Sequence, residues 1–340
     1  MIPPKLKQNE NKALKWGVLG AATIAIDQVI PALLESEICD LTAIASRDFL
    51  KAKEITDQFH IPNYFDSYEK LLESNDVDAV YIPLPNHLHV KWAIMALKKG
   101  KHVLIEKPIG MTAFETDELI QASKEFTHLK VMEAFMYRFH PQWKRVINLL
   151  GEGAIGEVRL VEASFSFFED DPNSIVNSKE CGGGSLMDVG CYPVSIARLI
   201  FGAEPISVMA NMDLDPHLGV DLSTSGILEF EHGRAIIYSS IRQFENQTVK
   251  ISGTEGKIVV ELPFNPSKDE PSKLTITRNQ GSADLFVGPC HQYLVQVESF
   301  ARAVIDNKEV PVSLYDSLRN MKVIDALKES HEQQRKIMLE

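Results

Sequence analysis

Three residues of the chain have the types needed to move a proton beside a carbon–oxygen bond. Lys107 stands in the motif EKP (Glu106–Pro108), and Asp188 and Tyr192 stand four residues apart in the segment GGGSLMDVGCYP. Positions i and i+4 of a helix share a face, so the carboxylate and the phenol can point at one substrate. The pattern predicts an acid–base site in which Tyr192 transfers the proton and Lys107 stabilises charge. Asp188 either orients a substrate hydroxyl or holds the Lys107 ammonium.

The electrostatics of such a site can be predicted in outline. We expect a half-desolvated cleft to lower the pKa of Lys107. The Lys107 ammonium is expected in turn to stabilise the phenolate of Tyr192, whose ordinary pKa is near 10. A structural alternative exists for each part: Lys107 as a surface charge, and a capped helix with Tyr192 in the core and Asp188 satisfied by backbone.

The elements that position these residues begin with an alternation of apolar runs and helical patterns in the first half of the chain. Strands are predicted at WGVLG, LTAIAS, DAVYIPLP, KHVLIEKP and LKVMEAF, with helices between them. This rhythm is typical of a doubly wound parallel sheet. Ligands of such sheets bind at the carboxyl ends of the strands, where EKP stands. We therefore predict an α/β dinucleotide-binding domain over residues 13–137.

From about Gly156 the sequence alternates apolar and polar residues between glycine-bearing turns, a pattern of antiparallel strands. Two helical stretches close the chain. A second, α+β domain with a mostly antiparallel sheet and helices on one face is predicted over residues 138–340. The polar residues 1–12 are expected to form a disordered tail.

The segment GVLGAATIA follows the first strand and opens the first helix. Its pattern, Gly20-x-Ala22-x-x-Ala25, is a degenerate dinucleotide fingerprint, and a plain tight turn is the alternative. After the second strand, Ser46 and Arg47 offer a hydroxyl and a guanidinium, which suit a 2′-phosphate, where NAD-binding proteins place a carboxylate. NADP is therefore the predicted cofactor, with NAD possible. The alternative for Arg47 is a solvated residue at a helix start, where the next residue, an aspartate, can be the N-cap.

Composition excludes several classes of partner. The formal net charge of −12, without a basic cluster to offset it, disfavours nucleic acid. The four cysteines form no CxxC pair, so neither a metal site nor a disulfide framework is predicted and a reducing compartment fits best. The sequence shows no signal-peptide pattern and no apolar run long enough for a membrane span. We expect a cytoplasmic protein that acts on a small molecule.

Five motifs, in order and spacing, carry a family resemblance: GVLGAATIA, PLPNHLH, VLIEKPIG, EAFMYRFHPQ and GGGSLMDVGCYP. They resemble the glucose–fructose oxidoreductase, inositol dehydrogenase and rhizopine-catabolism (Gfo/Idh/MocA) family over nearly the whole chain. EAFMYRFHP with Tyr192, where many members carry histidine, resembles the branch of xylose dehydrogenase, dimeric dihydrodiol dehydrogenase and some deoxysugar ketoreductases. The resemblance implies an amino-terminal Rossmann domain, an open-faced carboxy-terminal sheet, and homodimers or homotetramers packed through that sheet.

The resemblance also implies roles for individual residues. Glu106 and Lys107 are expected at the nicotinamide ribose and the reaction centre, Asp188 and Tyr192 at the substrate, and Arg138 at cofactor or substrate. His140 and His87 are expected to be helix-start residues. With the fingerprint included, the predicted cofactor-binding residues are Gly20, Ala21, Ala22, Thr23, Ile24, Ser46, Arg47, Pro85, Asn86, His89, Glu106, Lys107 and Arg138.

One departure concerns the segment before the glycines. Related sugar enzymes commonly read Asn-x-Arg there, whereas this chain reads Asn173-Ser174-Ile175, so an arginine expected near the substrate is absent. A strict transfer of sugar specificity does not follow from the resemblance. A smaller, less polar or differently anchored substrate is the alternative.

The sequence thus predicts an NADP-dependent oxidoreductase that interconverts a secondary alcohol and its ketone or lactone on a sugar or cyclic polyol. One alternative is a non-enzymatic, cofactor-binding regulator, which predicts loss of Lys107 or of the Asp188–Tyr192 pair. Another is a glycosidase that uses bound NAD as a redox relay, which predicts tightly retained NAD and no net cofactor turnover.

Overall fold

The computed structural model describes residues 13–339, so the predicted disorder of residues 1–12 lies outside the described residues. The first part of the chain forms a six-stranded parallel sheet. Its strands are β1 (Leu14–Leu19), β2 (Cys39–Ala45), β3 (Asn63–Phe65), β4 (Ala79–Ile82), β5 (His102–Ile105) and β6 (Val131–Glu133). Its helices are α1 (Ile30–Glu35), α2 (Phe49–Phe59), α3 (Tyr68–Leu72), α4 (His89–Lys98) and α5 (Ala113–Ser123).

The strand order β3-β2-β1-β4-β5-β6 is the doubly wound order of a Rossmann domain, with its switch point between β1 and β4. Most residues of the central strands are buried, because helices cover both faces of the sheet. A π-helical turn, Ala25–Val29, joins β1 to α1. The carboxyl ends of β1 and β4 therefore open onto the crevice where ligands of such sheets bind.

The second part of the chain builds a nine-stranded sheet in the order β14-β13-β12-β11-β7-β10-β9-β8-β15. All its neighbouring strands pair antiparallel except β7 and β10, which are parallel. The strands are β7 (Val158–Phe168), β8 (Ser207–Leu214), β9 (Asp221–Phe230), β10 (Gly233–Ser240), β11 (Arg242–Gly253), β12 (Gly256–Val260), β13 (Ser272–Arg278), β14 (Gly281–Val287) and β15 (Ile337–Met338). The helices are α6 (Pro141–Gly151), α7 (Cys191–Phe201), α8 (Gln292–Ile305) and α9 (Leu314–Gln333).

The two faces of this sheet differ. Alternate residues of β8, β9 and β10 are buried beneath the helices, whereas Met209, Ile227 and Ile236 between them are exposed. Together with the parallel sheet, this confirms the predicted fold class, a Rossmann domain followed by an α+β domain with a mostly antiparallel sheet. Among residues 13–339, no helix has both the length and the apolar character that a membrane crossing requires.

The last third of the chain returns to the first sheet. Trp16 in the middle of β1 is fully buried, and its ring centroid lies 5.4 Å from that of Phe300 on α8, which is also fully buried. The same helix packs against α1. Aromatic pairs of this kind contribute through their large buried area. The core around β1 is thus completed by a helix that follows it by nearly three hundred residues.

Candidate active site

One continuous groove runs from the carboxyl ends of β1, β2 and β4 to the start of α7. Its outer part has a volume of about 1060 Å³ and its inner part about 540 Å³. The two parts have five lining residues in common: Ala22, Thr23, Pro83, Leu84 and Ile175. A long ligand that enters the outer part can therefore reach the inner part without leaving the groove.

The outer part fits a dinucleotide. Gly20 has φ of +126°, and a Cβ there would lie 2.9 Å from Cδ2 of Leu84, so the turn after β1 requires glycine. The helical segment that follows begins directly after this turn, and the free amide groups of a helix start favour anionic ligands. Gly20, Ala21, Ala22 and Thr23 line the outer part, together with Ser46, Arg47 and Pro85. Ile24 lines the inner part.

Arg47 and Asp48 follow the end of β2, at the position that is predicted to decide between NADP and NAD. Asp48 is the N-cap of α2, and its side chain accepts a hydrogen bond from the Lys51 amide at 3.2 Å. Its carboxylate is therefore engaged at the helix start. Arg47 remains exposed on the wall of the groove. The arrangement leaves a guanidinium, rather than a carboxylate, to meet a ligand at this point.

At the inner end, Lys107 binds Asp188. The Lys107 Nζ donates to the Asp188 carbonyl oxygen at 2.7 Å and to Oδ1 at 3.2 Å. Burial lowers the pKa of Lys107, but the negative charges of Asp188 and Glu106 outweigh burial, and the pKa lies above its ordinary value. The expected lowering of this pKa is wrong, because the cleft supplies counter-charges as well as desolvation. The lysine is a fixed cation.

Asp188 owes its position to a second carboxylate. It lies in a π-helical turn, Leu186–Gly190, directly before α7. Asp221 at the start of β9 anchors this turn: its Oδ2 accepts hydrogen bonds from the Leu186 amide at 2.8 Å and from the Ser185 hydroxyl at 2.6 Å. Sequence reasoning missed Asp221. Its signal was an acidic residue at the start of an otherwise apolar and hydroxyl-bearing strand.

Tyr192 lies one turn further along the helix and is almost fully buried. The Lys107 Nζ lies 5.2 Å from its ring centroid, and its hydroxyl donates to Sδ of Met136 at 3.4 Å. Burial raises the pKa of Tyr192 well above its ordinary value. The expected stabilisation of a phenolate by Lys107 is therefore not what this structure shows, because the ammonium lies near the ring and binds Asp188. Tyr192 is a protonated donor.

Two carboxyl groups, one half-buried and one buried, hold the turn that carries Lys107. Glu106 accepts hydrogen bonds from the Tyr81 hydroxyl at 2.7 Å and from the Lys107 amide at 3.1 Å, and burial raises its pKa. Glu133 at the end of β6 accepts from the Ile109 amide at 2.9 Å, and burial raises its pKa to about 7. The backbone on both sides of Lys107 is thus tied to neighbouring strands.

Asn86 connects the two domains, and His89 connects the segments that follow β4 and β5. The Asn86 side-chain amide donates to the Gly182 carbonyl at 2.8 Å. Gly182 has φ of +80°, and a Cβ there would lie 2.3 Å from Sδ of Met111, so the glycine permits this close approach. The His89 ring lies between the carbonyls of Leu84 and Pro108, at 2.6 and 2.8 Å, and burial lowers its pKa to about 4.

Arg138 requires a correction. The residue lines neither part of the groove, and its guanidinium forms an ion pair with Asp316 on α9. After β6 the chain enters a 3₁₀ turn, Met136–Phe139, which brings Met136 to the cleft and sends Arg138 to another surface. The predicted contact of Arg138 with cofactor or substrate does not fit this placement. His140 is the N-cap of α6, as expected.

Several residues of the cleft were not assigned from the sequence. Phe165 and Phe167 on β7 line it. Ile175, at the position of the missing arginine, lines both parts of the groove. The remaining unassigned residues around the inner part include Met136, Glu245, Asn265 and Tyr293. They come from segments far apart in sequence, so no local motif marks them. Within residues 13–339, no group of three or more His, Cys, Asp or Glu side chains is arranged to hold a metal ion.

Comparison with known proteins gives this geometry a context. A D-xylose 1-dehydrogenase (NADP⁺) of Haloferax volcanii is 39% identical over 94% of this chain and 98% of its own. A trans-1,2-dihydrobenzene-1,2-diol dehydrogenase of Xenopus tropicalis is 36% identical over 74% of this chain and 76% of its own. The crystal structure of a 3-ketoreductase from Actinomadura kijaniata with NADP and TDP-benzene superposes with a TM-score of 0.90, at 32% identity, over 94% of this chain and 98% of that chain.

The family profiles agree with the fold. Residues 14–135 match the oxidoreductase family with an NAD-binding Rossmann fold, and residues 143–259 match the carboxy-terminal domain of the same family. The two matches correspond to the parallel sheet and to most of the antiparallel sheet. The chain belongs to the Gfo/Idh/MocA family of oxidoreductases.

Proposed function

We propose that this protein is an NADP-dependent oxidoreductase that interconverts an alcohol and its carbonyl form on a neutral sugar or cyclic polyol. The substrate group is a secondary alcohol and its ketone, or a lactol and its lactone. One observation carries the proposal: Lys107, Asp188 and Tyr192 meet at the inner end of a groove whose outer end fits a dinucleotide.

The reaction balances with these groups. In oxidation the substrate C–H bond breaks and a hydride leaves the carbon, while the hydroxyl loses its proton and a C=O bond forms. NADP⁺, when held by the residues of the outer groove, would supply the acceptor for this hydride. The released proton passes through the protein to solvent. Two tasks remain for the chain itself, to hold the substrate oxygen and to move that proton.

The protein groups divide this work. Tyr192 is protonated, so in reduction it donates its proton to the carbonyl oxygen and regains one from solvent. In oxidation it first loses its proton to solvent and then, as the phenolate, accepts the proton of the substrate hydroxyl. Lys107 uses two of its three N–H groups on Asp188, and among the described residues no protein acceptor takes the third. That N–H is available to a substrate oxygen, where the fixed positive charge stabilises developing alkoxide character. Asp188 holds the ammonium in place.

The charge of the cleft argues for a neutral substrate. Three carboxyl groups, those of Glu106, Asp188 and Glu245, line the inner part with a single lysine. Ile175 stands where the related sugar enzymes commonly carry arginine. An anionic substrate such as a sugar acid or a sugar phosphate would enter against this charge without a guanidinium to bind it.

The cofactor proposal rests on Arg47. Its guanidinium lies on the outer part of the groove, and the neighbouring Asp48 carboxylate caps α2. This suits a 2′-phosphate better than a free ribose hydroxyl. The names of the Haloferax and Actinomadura relatives, both of which include NADP, support the same choice.

Assembly through the open face of the nine-stranded sheet is part of the proposal. An exposed apolar patch is formed by Met209 on β8, Ile227 on β9 and Ile236 on β10, and Ile227 is the cross-strand neighbour of both others. Patches of this kind mark protein interfaces. We expect a homodimer or homotetramer, and light scattering on Ile236→Glu should show a shift toward monomer that Ile147→Glu, on α6, does not produce. Unchanged mass in Ile236→Glu would overturn this interface.

A cytoplasmic location completes the proposal. All four cysteines, Cys39, Cys181, Cys191 and Cys290, are free thiols in the structure. Free thiols are typical of reducing compartments.

The test of function is turnover. Purified protein is mixed with NADP or NAD and a panel of aldoses, cyclitols and vicinal diols, and with the matching ketones and lactones, while nicotinamide absorbance is followed. We expect turnover of at least one neutral sugar or polyol with NADP preferred, and a kcat about 1000-fold lower in Lys107→Met. Cofactor binding with no turnover on the whole panel would overturn the proposal in favour of a regulator. Retained NAD with glycoside cleavage and no net NADPH would favour a glycosidase.

A further inference from the structure

A second cavity adjoins the cleft on the side away from the cofactor groove. It has a volume of about 450 Å³, which is within the range of ligand pockets. Asn265 and Tyr293 line both this side cavity and the inner cleft, whereas no residue lines both the side cavity and the outer groove. A molecule that reacts beside Lys107 can thus extend past Asn265 into the side cavity without meeting the dinucleotide.

Asn265, which lies at this junction, follows a backbone segment that two buried glutamines fix by hydrogen bonds. Gln247 accepts hydrogen bonds from the amides of Phe264 and Asn265 at 3.3 and 3.0 Å. Gln142 donates to the carbonyls of Leu262 and Pro263, both at 3.1 Å. These two glutamines are buried and come from β11 and α6. A site held in this way is preorganised for a ligand, because its groups do not have to be ordered on binding.

A third glutamine belongs to the side cavity itself. Gln292 is 4% exposed and lines the cavity, and its Nε2 donates to the Phe264 carbonyl at 2.9 Å. Its Oε1 has no hydrogen-bond partner among residues 13–339. A buried polar atom without a partner is costly, and such an atom in a cavity wall indicates a missing ligand or water.

The chemistry of the walls identifies the ligand class. Gln28, Asn265, Ser267 and Gln292 are uncharged and can both donate and accept hydrogen bonds, which matches the hydroxyl groups of a sugar. The lining carries one carboxylate, Asp27, and one ammonium, Lys268, and the His291 ring lies 3.0 Å from the Glu35 carboxylate. A diphosphate would need an excess of positive charge or an arginine, and neither lines this cavity.

We propose that the side cavity is a second substrate subsite, which binds the neutral, hydroxyl-bearing half of a substrate larger than a monosaccharide. The occupant is a second sugar ring, with the ring that reacts placed at Lys107 and Tyr192 and with Asn265 between the two rings. This inference rests on the proposed function and deepens it, because it names a disaccharide or glycoside as the preferred substrate class.

The experiment compares one ring with two. The probes are D-glucose against maltose and cellobiose, and D-xylose against xylobiose, each with NADP. The wild-type protein should show a kcat/KM for at least one disaccharide that exceeds that of its monosaccharide by about tenfold or more, the effect of one or two added hydrogen bonds. dTDP-glucose is included as a charged competitor.

Filling the cavity tests the location. Gln28→Trp, and independently Ser267→Trp on an exposed loop position, should remove most of the disaccharide advantage and change monosaccharide kcat/KM by less than about twofold. Gln121→Trp, on the exposed side of α5, is the matched control and should change neither. The second variant protects the test against a folding defect in the first.

The outcomes separate the two proposals. Monosaccharide turnover without any disaccharide advantage, equal losses on both substrates in the filled variants, or preference for dTDP-glucose would overturn the second subsite and leave the oxidoreductase intact. No NADP reduction with any sugar or polyol would overturn the proposed function itself, and the subsite with it.

Discussion

The outer and inner parts of the groove are built in opposite ways. The outer part is lined mainly by three short runs of consecutive residues, Gly20–Thr23, Ser46–Lys51 and Pro83–Pro85, and its arginine is exposed. The inner part is made of side chains that are far apart in sequence, and its reactive groups are largely buried. One region depends on local backbone geometry, and the other depends on contacts between distant segments.

The difference predicts what each region can tolerate. Charges in a buried site interact more strongly than exposed ones, and a lost partner leaves an uncompensated group. Exposed charges are screened by water and salt. Changes at the inner end should therefore reduce turnover by large factors, whereas changes at the outer end should alter cofactor affinity or stability modestly.

The largest expected effect comes from Lys107→Met. The substitution removes the cation that holds the substrate oxygen, and kcat should fall by about 1000-fold. Cofactor affinity, measured by fluorescence titration, should change little, because the outer groove is untouched. Lys99→Met, at an exposed lysine paired with Glu73, is the control and should keep full activity. Wild-type kcat in Lys107→Met would remove the inner site from the mechanism.

Tyr192→Phe should lower kcat by about 100-fold, because the proton donor is lost while the aromatic packing stays. Its hydroxyl makes a weak bond to sulfur, so the melting temperature should hardly change. Tyr137→Phe is the matched control: its hydroxyl bonds to Ser195 at 2.7 Å and lines no part of the groove. That variant should lose about 1 kcal/mol of stability and keep its kcat. The opposite pattern would contradict the assignment of Tyr192.

The pH dependence of the stability of Glu133→Gln tests the buried carboxyl group that holds the turn carrying Lys107. The folded pKa of Glu133 is raised from 4.5 to about 7, so between these values the folded state keeps a proton that the unfolded state releases. Stability therefore falls as pH rises through this window, by up to about 3 kcal/mol. Relative to wild type, Glu133→Gln should gain stability as the pH rises from 5 to 8 in urea titrations. A stability difference between Glu133→Gln and wild type that stays constant from pH 5 to pH 8 would contradict the raised pKa of Glu133.

Arg47→Ala should raise the KM for NADP about tenfold and leave the KM for NAD unchanged, because a charged hydrogen bond to the 2′-phosphate is lost. Steady-state kinetics with both cofactors measure the ratio. Arg302→Ala, at an exposed arginine on α8, is the control. An equal rise in both KM values would show that Arg47 acts on the groove as a whole.

Asp48→Ala should have the smallest effect. Loss of the N-cap of α2 should cost about 1 kcal/mol of stability and leave kcat intact. Asp48→Asn, which retains a capping oxygen, should restore most of that stability in the same denaturation experiment. A large loss of turnover in Asp48→Ala would break the contrast between the two regions.

The same contrast explains what the sequence could predict. The strands β1, β2, β4, β5 and β6 are short apolar runs whose burial on both faces is visible locally, and the fold class followed from them. For α6 the sequence predicted only a helix start at His140, although the apolar spacing of Trp143, Val146 and Leu149 that continues the helix was present. The strand β14 is largely exposed and lacks a clear alternation, so it carries no local strand signal.

The site divides in the same manner. The placement of Lys107 at a strand end and of Asp188 one turn before Tyr192 was predictable from local patterns, whereas their meeting at one reaction centre was implied by the family resemblance. The raised pKa of Lys107 was not predictable from the sequence, because it depends on the charges of Asp188 and Glu106 acting together in the folded chain. Arg138 was misplaced because a single 3₁₀ turn decides on which side of the chain it emerges. The position of Asn265 in the site could not be predicted from the sequence, because three glutamines from other segments fix the backbone around it.

The contact of Trp16 with Phe300 has a consequence for synthesis of the chain. During translation, β1 leaves the ribosome long before α8 exists, so its largest buried side chain has no complete environment until nearly nine-tenths of the protein has been made. The six strands can pair earlier, but the finished core and the groove above it have to wait for α8. A nascent chain stalled before Phe300 should therefore expose an apolar surface that chaperones bind, whereas release of the whole chain buries it.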